Sequence, residues 1–409
     1  MQVLNYEEFR NDAMRHYMSM PYETEELYKK YSVSVPLEKT EAAGTSDRRK
    51  FLEHVEKSLS INFDVVIFGD FIRNKSSNVR IERMQDIAEV LGRKQYKSSE
   101  GKLAAFSNAY SERALLIRAT GEAVKINALF VNDGSDFSQV FVDADSSAIS
   151  LSEFYFSTSD RRSLVSVMHE VAAESSKVEI NQVHCENKNA NLVNLFKGYA
   201  GNSSSLRINA AYNGAALTKA IGKVSASGIG SDVRVSEVVY GASEQRFDIN
   251  TFITNASQKS SAMLESGAVL DGNSNCVFKG YAKVDKWTKG AKSRITERGI
   301  LLSQTAHIDA LPDMSIDYSD EVSATHSAAT APMDKDAIFY MGARGVKEEQ
   351  AREMFVSAFL SKYLSGIGDP RIREIASSLV LGRIGKSTFG DVSSLTSRGI
   401  WSEAMNNGD

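Results

Sequence analysis

The chain has 409 residues, of which 42% are hydrophobic and 24% are charged, as in ordinary globular proteins. This length suffices for one large core or for two to three domains. The formal net charge of -4 gives no bulk electrostatic reason to bind nucleic acid or an anionic membrane. No apolar run approaches the roughly 20 residues of a membrane-spanning helix, and the N-terminus lacks the apolar core of a signal peptide. We therefore expect a cytoplasmic protein that has neither nucleic acid nor a membrane as a partner.

Cysteine and proline are both scarce. The two cysteines, Cys185 and Cys276, form neither a disulfide framework nor a CxxC metal motif, so we interpret them as core thiols of a reduced protein. The chain has five prolines, and none of them lies between residues 37 and 311. Because proline cannot donate to a β ladder, this long tract suits strands that are paired on both sides.

Residues 1–62 have the pattern of a helical region. Ala13 and Tyr17 lie four residues apart, on one face of a first predicted helix. A second short helix is predicted over residues 23–31 and a third over residues 47–59. We expect these helices to dock on the domain that follows.

From residue 63 to residue 332 the apolar residues recur with a period of two, as in strands. Examples are the runs FDVVIFGDF, AAFSNAY, SLRINAAYN and DVRVSEVVYG. A helix is also predicted over residues 81–91. Hairpin signals of the Asn-Gly type are scarce, and Asn213-Gly214 is the clear case. Strands that return by wide turns fit this pattern better than a meander does. We predict a right-handed parallel β-helix core, with a large β-sandwich as the alternative.

Residues 333–409 have a helical pattern again. Asp334 is placed to cap a helix that ends at Gly345. A second helix is predicted to begin at Glu348 and a third at Pro370, and both carry apolar stripes. The stripes comprise Ala351, Met354, Phe355, Ala358 and Phe359 in the second helix, and Ile372, Ile375, Ala376, Leu379 and Val380 in the third. Residues 386–409 are predicted to be loosely ordered.

Several elements around the joint between the β tract and these helices occur in a distinctive order. The first C-terminal helix carries a Phe-Tyr-x-x-x-Arg-Gly turn, formed by Phe339, Tyr340, Arg344 and Gly345. An acidic helix start and an apolar stripe follow it. Upstream lie the Leu301-Leu302 strand and the sequence His326-x-Ala328. In order and spacing, residues 268–360 resemble the SufB/SufD family of iron–sulfur cluster assembly proteins.

The resemblance implies a β-helix between helical ends, and a subunit that is not itself an enzyme. It also implies pairing, through the β-helix, with a SufB-like protein or a second copy of the chain. The C-terminal helices would dock a SufC-type ABC ATPase. Aromatic and arginine side chains are frequent interface anchors, although packing within the chain would use the same phenylalanines. The expected ATPase-binding residues are Phe339, Tyr340, Arg344, Gly345, Met354 and Phe355.

The residues around the Leu301-Leu302 strand favour a SufD-like member. In SufB-type members a cysteine beside this strand carries the nascent cluster, whereas Glu297-Arg298-Gly299 stands here without a thiol. Both types keep a histidine that matches His326, but their flanking residues are replaced in this chain. A neutral imidazole suits iron, so we expect His326 to lie near a transient iron–sulfur cluster in the complex. A structural role is the alternative, and we expect neither a stably bound cofactor nor a resident metal.

Two other function classes stay open. A β-helix carbohydrate-active enzyme would use paired carboxylates such as Asp143 and Asp145, although no distinctive catalytic cluster supports it. A purely structural solenoid that bridges other proteins is the third reading. His169 and His184 lie beside apolar residues in predicted strands, so we expect packed or solvent-facing roles for them.

Overall fold

A computed structural model of the protein describes residues 5–22, 31–40, 48–87, 96–158, 160–317, 320 and 322–381. The helix predicted over residues 23–31 lies outside this part of the chain, apart from residue 31. The tail at residues 386–409 lies outside it entirely.

The described residues form six α-helices and twenty strands. The helices are α1 (Tyr6–Ser19), α2 (Arg48–Leu59), α3 (Lys102–Tyr110), α4 (Lys335–Ala343), α5 (Glu348–Leu364) and α6 (Pro370–Leu381). The first ten strands are β1 (Val65–Phe68), β2 (Phe71–Asn74), β3 (Val79–Arg83), β4 (Arg113–Thr120), β5 (Ala123–Asn132), β6 (Asp136–Asp145), β7 (Ala148–Ser157), β8 (Ser163–Glu174), β9 (Lys177–Cys185) and β10 (Ala190–Ala200). The others are β11 (Ser205–Tyr212), β12 (Leu217–Ala226), β13 (Asp232–Gly241), β14 (Arg246–Asn255), β15 (Ser261–Leu270), β16 (Asn275–Val284), β17 (Lys292–Leu301), β18 (His307–Ala310), β19 (Asp313–Ile316) and β20 (Ser323–Pro332).

The strands form two sheets that the chain visits alternately. The first sheet has the order β2-β1-β5-β7-β9-β11-β13-β15-β17-β20, and the second has the order β18-β16-β14-β12-β10-β8-β6-β4-β3, with β19 beside β16. Nearly all neighbours are parallel; the exceptions are the β1–β2 and β3–β4 pairs at the N-terminal end. The result is a parallel β-solenoid of about 7 turns, which confirms the predicted β-helix and excludes the sandwich.

Apolar columns fill the space between the two sheets. Ile208, for example, pairs in register with Ile180 on one side and Val235 on the other, and all three are buried. Full burial of one such side chain contributes about 1.5–3 kcal/mol. Because each turn repeats the register, the period of two in the sequence becomes a continuous interior core.

Helices cover the outer faces of both sheets. Side chains of α2, α5 and α6 share one apolar cluster with outward-facing residues of the first sheet. On the second sheet, α3 packs in a similar way together with Val35. In α6 the whole predicted stripe is buried. None of the helices in the described ranges is long and apolar enough to cross a membrane.

Two local predictions within the β tract are wrong. The run AAFSNAY belongs to α3 rather than to a strand, and every residue from Leu103 to Ala109 is buried. A helix without a polar face lacks the amphipathic period that identifies helices in a sequence. The helix predicted over residues 81–91 is replaced by β3 and a 3₁₀ turn at Met84–Asp86, with residues 88–91 outside the described part.

The Asn213-Gly214 pair does not close a hairpin. It connects β11 of the first sheet to β12 of the second. A Cβ atom on Gly214 would lie 2.3 Å from the backbone nitrogen of Glu186 in the preceding turn. Glycine is therefore needed there because successive turns stack closely, and not because a hairpin reverses the chain.

Candidate functional site

The last strand of the first sheet has one open side. β20 pairs with β17 in parallel, from Ser323 on Lys292 to Pro332 on Leu301, and no other described strand pairs with it. Nine of its ten residues, SATHSAATAP, are exposed. We call β20 the open edge. Such an edge presents unpaired backbone N–H and C=O groups, and its small side chains let another strand approach closely.

His326 lies at the middle of the open edge. Its Cα partner on β17 is Ile295, which is completely buried. Residues in register on parallel strands point to the same face, so His326 extends the column that contains Ile208 and Leu264. No described turn of the solenoid covers it, and its side chain is exposed. The imidazole therefore occupies a position that a partner surface would bury.

A polar column runs beside this apolar one and also ends at the open edge. Its members in register are Glu153, Gln182, Ala210, Glu237, Ser266, Glu297 and Ala328. Oε1 of Glu297 accepts a hydrogen bond of 2.7 Å from the Gly280 amide. Burial raises the pKa of Glu297 to about 8. At neutral pH this carboxyl is mostly protonated, so it is an uncharged group just inside the open edge.

A second buried carboxyl lies two turns deeper in the polar column. Glu237 accepts hydrogen bonds from Thr251 Oγ1 at 2.5 Å and from Ser266 Oγ at 2.8 Å. Burial raises its pKa above the ordinary range, and the two hydrogen bonds oppose that shift without cancelling it. Neither Glu237 nor the burial of Glu297 is among the sequence-based predictions. A glutamate at an inward position of the period-two pattern is the signal that identifies both.

His169 and His184 are packed inside the solenoid. His169 Nε2 lies 2.8 Å from a carboxylate oxygen of Glu153, and both side chains are fully buried. Burial acts to raise the pKa of Glu153, but the facing imidazole and the hydrogen bonds outweigh it and hold the pKa below its usual value. The ring of His184 is stacked between those of Tyr155 and Tyr212, at 4.4 Å and 5.2 Å. These contacts support a structural role for both histidines.

The C-terminal helices present an apolar surface to solvent. Phe339 is 78% exposed, Tyr340 58% and Met354 57%. The Arg344 guanidinium donates a hydrogen bond to the Tyr340 hydroxyl and lies 4.8 Å from the centre of its ring. We call Phe339, Tyr340, Arg344 and Met354 the docking face. Its composition is typical of the anchors of protein interfaces.

The predicted stripe of α5 is partly wrong. The residues buried in α5 are Ala351, Val356, Leu360, Tyr363 and Leu364. Phe355 is half-buried against the cluster over the first sheet, whereas Met354 and Ala358 are exposed. Of the two predicted partner residues in α5, Met354 is therefore exposed and belongs to the docking face. Phe355 instead packs on the apolar cluster between α5 and the first sheet. Gly345 ends α4 with a φ of 86°, a conformation that suits glycine.

The residues proposed for other chemistries do not converge. Asp143 and Asp145 are exposed on β6, and Asp143 lies 3.6 Å from Arg118. Cys185 and Cys276 are both buried, and Cys185 donates to Asn213 Oδ1 at 3.1 Å. Within the described residues, no group of three or more His, Cys, Asp or Glu side chains is placed to hold a metal ion.

Comparison with known proteins gives a consistent result. A family model described as "SUF system FeS cluster assembly, SufBD core domain" matches residues 130–359, more than half of the chain. The iron-sulfur cluster assembly protein SufD of Escherichia coli (strain K12) is 22% identical over 160 residues, which are 39% of this chain and 37% of that protein. SufD of Bacillus subtilis (strain 168) is 28% identical over 124 residues, 30% of this chain and 28% of that protein.

An iron-sulfur cluster assembly SufBD family protein of Mycobacterium leprae (strain TN) is 24% identical over 168 residues, 39% of this chain and 43% of that protein. The chain thus spans less than half the length of each of these relatives. The family model covers the strands from the end of β5 to β20 and continues into α5, so it includes both the open edge and the docking face. The chain belongs to the SufB/SufD family, as a SufD-like member.

Proposed function

We propose that the protein is a non-catalytic subunit of a cytoplasmic SUF iron–sulfur cluster assembly complex. The observation that carries this proposal is the family match over residues 130–359, which includes both the open edge and the docking face. The open edge belongs to the last strand of the first sheet and the docking face to the helices that follow it, so the proposal assigns each surface its own partner.

The open edge is the proposed contact with a SufB-like protein or with a second copy of the chain. A strand added beside β20 would satisfy its free backbone groups. The side chains of the strand are mostly Ala, Ser and Thr, so little side-chain entropy is lost when it becomes buried. His326 would then lie inside the interface. An iron–sulfur cluster, as the cargo of the complex, would be formed or passed close to this imidazole.

The docking face is the proposed contact with a SufC-type ATPase. Its aromatic, methionine and arginine side chains are already exposed, so binding requires no rearrangement of the core. Movement of the ATPase would reach the solenoid through α5 and α6. These helices are fixed to the first sheet by specific contacts as well as by apolar packing.

Two hydrogen bonds define this connection. Ser236 Oγ donates to the Tyr363 carbonyl at 2.8 Å, and Asn213 Nδ2 donates to the Leu379 carbonyl at 2.6 Å. Close packing adds to them, because a Cβ atom on Gly267 would lie 2.2 Å from the Tyr363 ring. Because these contacts hold α5 tightly on β13 and β15, a movement of α5 would also move these two strands.

Co-purification tests the proposal. The tagged chain is expressed with the SufC-type ATPase and the SufB-like protein of the same genome. Light scattering then measures the molar mass of the eluted complex. We expect a complex that contains the chain and the ATPase. Recovery of the chain alone, with or without the SufB-like protein, would refute the proposed function.

A further inference from the structure

A second candidate binding site lies on the second sheet, away from the docking face. A cleft of about 650 Å³ separates the outer face of this sheet from the first turn of α3. Among the residues that line this cleft are Glu100, Lys197, Lys223, Asn250, Phe252 and Tyr281. We call it the lysine cleft. Its size is that of a small-molecule site, and neither proposed partner surface uses it.

The lysine cleft carries an excess of positive charge among the described residues. Lys197 and Lys223 share one carboxylate, with their ammonium nitrogens 2.6 Å and 3.2 Å from the two oxygens of Glu100. Lys102 also lines the cleft, and its ammonium donates to the carbonyls of Tyr17 and Met20. Four lysines line the cleft, Lys102, Lys197, Lys219 and Lys223, against two carboxylates, Glu100 and Asp313. Positive charge therefore exceeds negative charge among these lining residues, which favours an anion.

The floor of the cleft places an aromatic pair beside these lysines. Lys197, Lys223, Phe252 and Tyr281 are consecutive partners in register on β10, β12, β14 and β16. Neighbouring strands lie about 4.8 Å apart, so the row changes from charged to aromatic over one strand spacing. The rings of Phe252 and Tyr281 lie 5.8 Å apart and are half-exposed. Because the rings are inclined at 51° to each other, a flat ring can stack on one of them and contact the other.

Asn250 supplies a second, independent observation at this cleft. Asn250 lies on β14, two residues before Phe252, and it lines the cleft while only 5% exposed. Its Oδ1 atom has no hydrogen-bond partner among the described residues. Buried acceptors are normally satisfied, so a ligand that carries an N–H or O–H donor would complete this group.

We propose that the lysine cleft binds a small anion that contains a flat ring. The anionic head lies against Lys223 and Lys197, and the ring packs against Phe252 and Tyr281. In a ligand whose ring carries a hydroxyl or amino group, that group donates to Asn250 Oδ1; the head and the ring are the parts that recognition requires. A phosphate and a carboxylate on such a ring share this chemistry, and direct titration distinguishes them.

Calorimetric titration of the full chain tests this site with four probes: 1-naphthyl phosphate, 1-naphthoate, neutral 1-naphthol and inorganic phosphate. We expect saturable binding of one ligand per chain for at least one of the two aryl anions. The naphthol and the inorganic phosphate should bind more weakly by about tenfold or more, because each lacks one half of the recognised structure. Absence of saturable binding by both aryl anions would overturn the proposal, and so would equal binding of the neutral naphthol.

Variants locate the binding site. Lys223→Met and Phe252→Leu should each weaken binding of the aryl anion by about tenfold, while circular dichroism confirms the fold. The control is Lys177→Met, which removes an exposed lysine at the start of β9 on the other sheet; it should leave the affinity within about twofold. Equal losses in Lys223→Met and Lys177→Met would place the anion elsewhere and contradict the assignment.

Discussion

His326 and Ile295 are Cα partners on the last two strands of the first sheet, and one is exposed while the other is completely buried. The same column holds Leu264 and Val235 in the preceding turns. The solenoid thus ends with an imidazole at a position where it otherwise places an apolar side chain. An exposed histidine there costs the isolated chain little, and the partner proposed for the open edge would cover it.

His326→Ala should separate function from folding. Because the side chain is exposed, we expect the free energy of unfolding to change by less than about 0.5 kcal/mol. Cluster transfer from the assembled complex to an apo-protein should fall about tenfold if the imidazole lies beside the cluster. The control is His307→Ala, which removes another exposed histidine. Equal transfer by wild type and His326→Ala would assign a structural role to His326.

The docking face predicts a loss of ATPase binding without a loss of stability. Phe339→Ser and Met354→Ser each remove an exposed apolar side chain. The affinity for the SufC-type ATPase should fall by about 10–100-fold, as for interface anchors. Ile229→Ser is the matched control, because Ile229 is 57% exposed on a solenoid turn. If all three variants bind the ATPase as tightly as the wild type does, the interface lies elsewhere.

Glu297 should make stability depend on pH. Burial raises its folded-state pKa to about 8, from the ordinary glutamate pKa of 4.5. The folded chain therefore binds more protons than the unfolded chain between these two values, so the free energy of unfolding decreases as pH rises through this window. The slope contributed by one group is at most about 1.4 kcal/mol per pH unit.

Glu297→Gln should remove this contribution and flatten the pH profile of denaturant unfolding between about pH 5 and pH 8. Glu244→Gln is the control, since Glu244 is exposed on a turn. A Glu297→Gln profile that is parallel to that of the wild type would show that the carboxyl is already ionised below this window.

The contact between Gly267 and Tyr363 should hold α5 on the first sheet. Gly267→Ala adds a methyl group where the Tyr363 ring leaves 2.2 Å, and we expect a loss of about 1–3 kcal/mol in the free energy of unfolding. Gly342→Ala, in α4, meets nothing within 4 Å and should be neutral or slightly stabilising. Chemical denaturation measures both variants. An unchanged stability of Gly267→Ala would mean that α5 moves away at little cost.

Local chemistry explains what could be predicted from the sequence. Asp334 was identified as a helix cap, and its Oδ1 accepts hydrogen bonds from the amides of Asp336 and Ala337 at 2.9 Å and 3.1 Å. The solenoid was predicted from the period of two and the proline-free tract, because both follow from strands that are paired on each side. These features depend only on residues that are close together in the chain.

The sequence-based predictions are wrong where tertiary contacts determine which residues are buried. The α3 segment is enclosed on all sides, so its sequence lacks an amphipathic period. In α5 the sheet beneath the helix selects Val356 and Leu360 for burial and leaves Met354 exposed. The burial of Glu297 depends on which face of the strand turns inward. The buried Ile295, two residues earlier, indicates that face in the sequence, but the register of neighbouring turns decides it.

Hydrogen exchange measured by mass spectrometry tests the central claim that the open edge and the docking face are the two partner surfaces. The chain is compared alone, with the SufB-like protein and with the SufC-type ATPase. We predict that the SufB-like protein slows exchange in the peptide over Ser323–Pro332, and that the ATPase slows it over Lys335–Ala343 and the first half of α5. Stable complexes in which neither region gains protection would contradict the account.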